Sequence, residues 1–175
     1  MSRLVITTLI LSIFAIAAAA QDDNFTLTEI VRDYDPVKDV TTVRLRPSKL
    51  SGPTDHYHSL TFSVSYAYAG KGAAQPKDFE LELVSIVKAR ELNSDLYVLF
   101  VVDGEEIHFS SNRSAIRNPV RGKPWIGERM VFGLPREKYV KLAGAKKLSV
   151  KLGGVSFDFS EDQIADLRRI LWITH

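Results

Sequence analysis

Two groups of residues in this 175-residue chain could do chemistry. The first is His56 and His58, an H-x-H beside Asp55. On an extended strand, side chains two apart point the same way, so both imidazoles could reach one metal ion. His108, on a separate predicted strand, is the candidate third ligand. The second group lies between residues 112 and 129. Arg113, Arg117, Arg121, Lys123 and Arg129 stand there against one acid, Glu128, with Trp125 among them. Guanidinium groups make planar, two-pronged contacts to carboxylate, sulfate or phosphate. An indole face stacks on a sugar or a base. These residue types at this density point to recognition of an anionic polymer.

Other chemistries find no support. The chain has no cysteine and no G-x-S-x-G, so nucleophilic catalysis has no visible centre. Glu105 and Glu106 are neighbours on a predicted strand, so their carboxylates diverge instead of converging on one substrate. Gly70-Lys71-Gly72 is too short for a phosphate loop and lacks the following Ser or Thr. No cofactor is implied. The formal net charge is only +2, which gives no global field to draw in nucleic acid or an anionic membrane. Electrostatic recognition would have to be local, as in the 112–129 segment.

The elements that position these residues read mainly as strands. Residues 60–68 alternate most clearly, with Leu60, Phe62, Val64, Tyr66 and Tyr68 on one face and Thr61, Ser63, Ser65 and Ala67 on the other. Residues 25–31 alternate weakly, residues 33–39 read as a turn around Asp35-Pro36, and residues 42–46 alternate again before Pro47. Phe79, Leu81 and Leu83 alternate with Glu80 and Glu82. Val84 then breaks phase and Ile86 resumes it, which predicts a β-bulge. Residues 96–102 are apolar throughout and predict a central strand covered on both faces.

Asp103-Gly104 and Gly153-Gly154 predict two tight hairpins, because both turn positions favour residues tolerant of positive φ. Residues 110–126 read as a long loop, of the length that often carries function. Residues 130–134 begin another strand and residues 135–145 a short helix with Pro135 near its first position. Ser160 and Gln163 form a capping box for a terminal helix at about 161–172. Its apolar stripe is Ile164, Leu167 and Leu171 with Ile170 beside it, and Asp162, Asp166, Arg168 and Arg169 are expected to face water.

The N-terminus predicts destination. Arg3 is followed by an apolar run and then by Ala17, Ala18, Ala19 and Ala20, the pattern of a secretory signal peptide. Cleavage is expected after Ala20, giving a soluble, secreted or periplasmic product with one domain over 21–175. The absence of cysteine excludes lipid attachment at that residue type, and no later stretch is apolar enough to predict an integral membrane segment. The turn Tyr34-Asp35-Pro36 before Thr41-Thr42-Val43 is similar to one in uncharacterised exported β-domain proteins of environmental bacteria. So is the ending that runs from Lys147 through Gly153-Gly154, Phe157, Gln163 and Leu167-Arg168. The resemblance covers about a quarter of the chain, implies a bacterial source, and brings no activity with it.

The expectation is therefore a mainly β protein, an antiparallel β-sandwich or partly open barrel of about eight strands with a C-terminal α-helix. Its expected function is that of a non-catalytic binding or envelope-associated module. The expected partner is an anionic polysaccharide or envelope component, met through Arg113, Arg117, Arg121, Lys123, Trp125 and Arg129. The alternative is a metal-dependent enzyme built on His56, His58 and His108.

Overall fold

Alternating apolar and polar side chains place eleven strands, among the described residues, in two antiparallel sheets. The structure is a computed structural model that describes residues 28–53, 57–72, 74–87, 97–110, 116–120 and 125–173. The expected leader at 1–20 lies outside them. The larger sheet has the order β1 (Ile30–Asp35), β2 (Val40–Leu45), β4 (Tyr57–Ala69), β5 (Asp78–Val87), β9 (Ile126–Pro135) and β8 (Ile116–Pro119). A two-residue strand, β3 (Ser48–Lys49), also pairs with β4. The smaller sheet has the order β11 (Val155–Asp158), β10 (Leu148–Leu152), β6 (Tyr97–Val102) and β7 (Glu105–Ser110). Helices α1 (Arg136–Ala143) and α2 (Glu161–Trp172) follow β9 and β11.

The two sheets share one core. Leu60, Phe62, Val64 and Tyr66 of β4 and Phe79, Leu81 and Leu83 of β5 are buried together with Val98 and Phe100 of β6 and Val150 and Leu152 of β10. Burying each such side chain is worth about 1.5–3 kcal/mol before chain entropy is set against it. Phe159 joins the layers, with its ring centroid 4.7 Å from Phe62 and 6.3 Å from Phe100. One corner is stitched by Ser51 and Asp158, whose backbones exchange hydrogen bonds of 3.2 and 2.7 Å. Gly52 follows at that corner, and a Cβ there would lie 2.3 Å from Cδ1 of Phe157. The sheets are not closed into a barrel.

The two hairpins form as expected. Asp103 and Gly104 both have positive φ between paired Val102 and Glu105, and Gly153 and Gly154 do the same between Leu152 and Val155. Several other expectations are corrected. The expected turn at 33–39 is shorter, because β1 runs to Asp35 and pairs with β2 through Asp35↔Val40. There the backbone N–H groups of Lys38 and Val37 donate to the Asp35 carboxylate, which lowers its pKa. The bulge expected at Val84 does not occur. β5 pairs with β9 without a break from Asp78↔Pro135 to Val87↔Ile126, and Ser85 takes an inward position. The irregularity lies on the neighbouring strand, between Tyr57 and Ser59 of β4. β6 is central but covered well on one face only, since Leu99 and Val101 are half-buried.

Helix α2 forms with its capping box. The Ser160 N–H donates to Gln163 Oε1 at 2.9 Å, and the Gln163 N–H donates to Ser160 Oγ at 3.2 Å. Gln163 Nε2 also donates to Ser48 Oγ and to the Lys49 carbonyl, which ties the helix start to β3. Ile164, Leu167 and Ile170 are the deeply buried stripe, and Leu171 is only half-buried. Asp166 is not in water as expected. It is 1 % exposed, accepts from the Thr28 N–H at 3.1 Å and pairs with Arg169 at 2.9 Å.

Candidate functional site

The segment from 110 to 126 is not one structureless loop, which removes loop length as an argument for function. Ile116–Pro119 forms edge strand β8 and pairs with the start of β9, through Ile116↔Arg129, Arg117↔Glu128, Asn118↔Gly127 and Pro119↔Ile126. The Val120 N–H then donates to the Trp125 carbonyl at 2.9 Å, closing the β8–β9 hairpin, and the residues joining the two in sequence, 121–124, are called its tip. Arg121 and Lys123 belong to that tip and Arg113 precedes β8. All three lie outside the described residues. Arg117 is placed by its backbone on β8, opposite Glu128.

Trp125 sits at the base of the tip, half-buried. Its ring centroid is 5.1 Å from that of His58, with the planes inclined by 38°. His58 is exposed on β4, between inward-facing Tyr57 and half-buried Ser59. One member of each expected group therefore meets the other at the surface, and the indole does not plug the core. Among the described residues the one further histidine is His108, and it is not beside them. His108 is exposed on β7 of the smaller sheet, and His56 lies outside the described residues. Among the described residues no three His, Cys, Asp or Glu side chains are grouped as metal ligands. Glu105 and Glu106 diverge, each to its own lysine, Lys141 at 2.6 Å and Lys151 at 3.1 Å.

The two residues that close the basic segment divide between the faces of β9. Glu128 is fully buried on the inward face, opposite Ser85 in the register. Arg129 points outward and forms a 2.5 Å ion pair with Glu82. The hydrogen bond that Arg129 donates to the Glu82 carboxylate holds the guanidinium pKa above its usual value. Arg129 thus belongs to the outer face of the larger sheet and not to the hairpin tip.

That outer face carries a surface the sequence pattern does not single out. A groove of about 560 Å³ runs over β2, β4, β5 and β9 and is lined by Arg44, Ser63, Ser65, Glu80, Glu82 and Arg129. The only signal for it is the run Thr61, Ser63, Ser65, Ala67, which reads simply as the wet face of a strand. Its depth comes from small side chains on the central strand and long ones on the strands beside it, which becomes visible only once the neighbours of β4 are known. Comparisons with protein-family models, with curated proteins and with solved structures find no match to this chain.

Proposed function

We propose that this chain is a non-catalytic binding module, exported by its N-terminal leader, that attaches to an anionic glycan or envelope polymer through the β8–β9 hairpin. The observation that carries this reading is the Trp125–His58 pair, an aromatic surface at the base of the tip to which the sequence adds Arg121 and Lys123. An aromatic face packs against a sugar ring while neighbouring cations meet its carboxylate, sulfate or phosphate groups. Position supports the same assignment, because β8 is an edge strand of the larger sheet and Pro119 at its end is exposed. The histidines support this reading over the metal-dependent one, since His58 meets Trp125 while His108 stands on the other sheet.

The test is retention of the exported protein on lipopolysaccharide and on acidic polysaccharides at low and high salt. Exposed ionic contacts are screened over about 10 Å at roughly 0.1 M salt, so retention should fall steeply as salt rises. Absence of retention at low salt overturns the proposal.

A further inference from the structure

We propose a second ligand site, the groove on the outer face of the larger sheet, and assign it to a neutral, hydroxyl-rich chain, a neutral polysaccharide. The site is independent of the hairpin and rests on different observations.

The first observation is shape. Ser63 and Ser65 of β4 form the floor, with Arg44 of β2 on one side and Glu80, Glu82 and Arg129 of β5 and β9 on the other. A second depression of about 460 Å³ continues the first, sharing Thr42, Ser65 and Glu80 and reaching Ala67 and Gly133. From Ser63 to Ala67 the floor advances roughly 13 Å along the strand. That is room for an extended chain and more than a single ring needs. Small side chains keep it open, and the register sets Gly133 beside Glu80 and Ala67 beside Thr42.

The second observation is hydrogen-bonding capacity. The hydroxyls of Ser63 and Ser65 are half-buried and make no hydrogen bond to another described group. Each can donate one bond and accept others. The third observation is charge, and it selects the ligand class. The cations lining this face are matched: Arg129 with Glu82 at 2.5 Å, Arg44 with Asp33 at 3.0 Å and Arg46 with Glu29 at 2.9 Å. An anionic chain would have to compete with those carboxylates, and a cationic one with the guanidiniums. A neutral polyol need not. A guanidinium has five N–H donors and a carboxylate about four acceptor positions, so one pair leaves valences unused. Vicinal hydroxyls, each both donor and acceptor, match a surface that alternates serine, carboxylate and guanidinium.

The experiment is affinity electrophoresis of the exported protein through gels containing a soluble β-glucan, α-glucan, galactomannan or xylan. A parallel solution assay with the same polymers is run at about 0.5 M salt, where ionic contacts are screened. The expected result is binding to at least one polymer that salt does not weaken. Ser65→Phe fills the floor outward and should lower the affinity at least tenfold. Glu82→Gln keeps the volume but removes the charge holding Arg129, and should lower it several-fold. A denaturation midpoint accompanies each variant, and Glu82→Gln carries the test if Ser65→Phe fails to fold. Arg121→Glu with Lys123→Glu in the hairpin tip should leave neutral-polymer binding unchanged, which separates this site from the hairpin proposal. Failure to bind any of the four polymers overturns the assignment, as does undiminished binding by the folded groove variants.

Discussion

Helix α2 and the β8–β9 hairpin lie at opposite extremes of how this molecule uses polar groups. Around α2 the polar side chains turn inward to the protein. Gln163 serves the cap and β3 together, Asp166 holds Thr28 and Arg169, and Tyr139 donates to the Leu167 carbonyl at 3.0 Å. Burial raises the Tyr139 pKa well above its ordinary value, with Tyr66 adding to the effect, so this hydroxyl stays protonated and remains a donor. The hairpin instead has a four-residue edge strand, one closing backbone bond and an aromatic pair at the surface. The difference teaches where to look for each property. Substitutions around α2 should change stability and leave ligand retention alone, while substitutions at the hairpin tip should do the reverse.

The largest expected effect is at Leu167, which is 2 % exposed. Leu167→Ala should cost about 2–5 kcal/mol through lost transfer energy and the cavity left behind. The denaturant midpoint measures it, and the folded fraction should still be retained on anionic polymer. An unchanged midpoint would break the comparison by showing α2 to be a loose appendage.

Next comes Asp166→Ala. Removing the buried carboxylate leaves the Thr28 N–H without its acceptor and Arg169 without its 2.9 Å partner. The cost should be roughly 1–3 kcal/mol, since losing one partner of a buried polar pair strands the other. Asp166→Asn should recover part of it, because an amide oxygen can still accept from Thr28. Equal stability of all three proteins would show that this cluster is ornamental.

At the hairpin the measurable is binding. Arg121→Glu with Lys123→Glu should lower retention on anionic polymer at low salt at least tenfold, about 1.4 kcal/mol, with the midpoint held within about 0.5 kcal/mol. Arg117→Glu is a poorer test. Arg117 stands opposite Glu128 in the register, and like charges directly opposed across a strand pair are destabilising. Retention unaffected by reversal of the tip would remove the hairpin from the binding surface.

What could be read from the sequence divides along the same line. Signals contained within a few residues were legible: the Ser160–Gln163 box, the two glycine-containing hairpin turns and the alternation of β4. Each is a local arrangement whose energetics do not depend on a distant partner. Features created by remote partners were not legible. Residues 116–119 contain Arg117, Asn118 and Pro119 and look like loop, yet β9 supplies the edge on which they pair. Val84 looks like a phase break, but the continuous register with β9 keeps the alternation and turns polar Ser85 inward. Asp166 looks like a solvated helix residue until Thr28 is brought to it from 138 positions away. For the candidate sites, residue types named the hairpin region and the aromatic at its base. The groove escaped notice because its walls come from three strands far apart in sequence.

The smallest effect, and the sharpest probe of the comparison, is at Arg168. Its exposure agrees with the expectation of a wet helix face, and that expectation implies that Arg168→Ala changes little. The guanidinium is nevertheless engaged: Nε donates to the Ala143 carbonyl at 2.9 Å and an Nη to the Ala145 carbonyl at 2.8 Å. Ala143 is the last residue of α1, where carbonyls lack partners within the helix and the helix dipole favours a cation. Arg168 therefore fastens the end of α1 to α2 from the surface. Arg168→Ala should cost about 1 kcal/mol, within the usual range for a hydrogen bond to a charged donor reduced by exposure to solvent. Arg168→Lys should lie between, because an ammonium keeps the charge but loses the planar fork that reaches two carbonyls at once. Urea denaturation resolves such differences, and Lys151→Ala, which breaks an exposed pair with Glu106, gives the surface reference. If Arg168→Ala shifts the midpoint no more than Lys151→Ala does, the polar closure around α2 ends at Asp166 and Gln163, and the outer side of the helix contributes no more than an ordinary exposed pair.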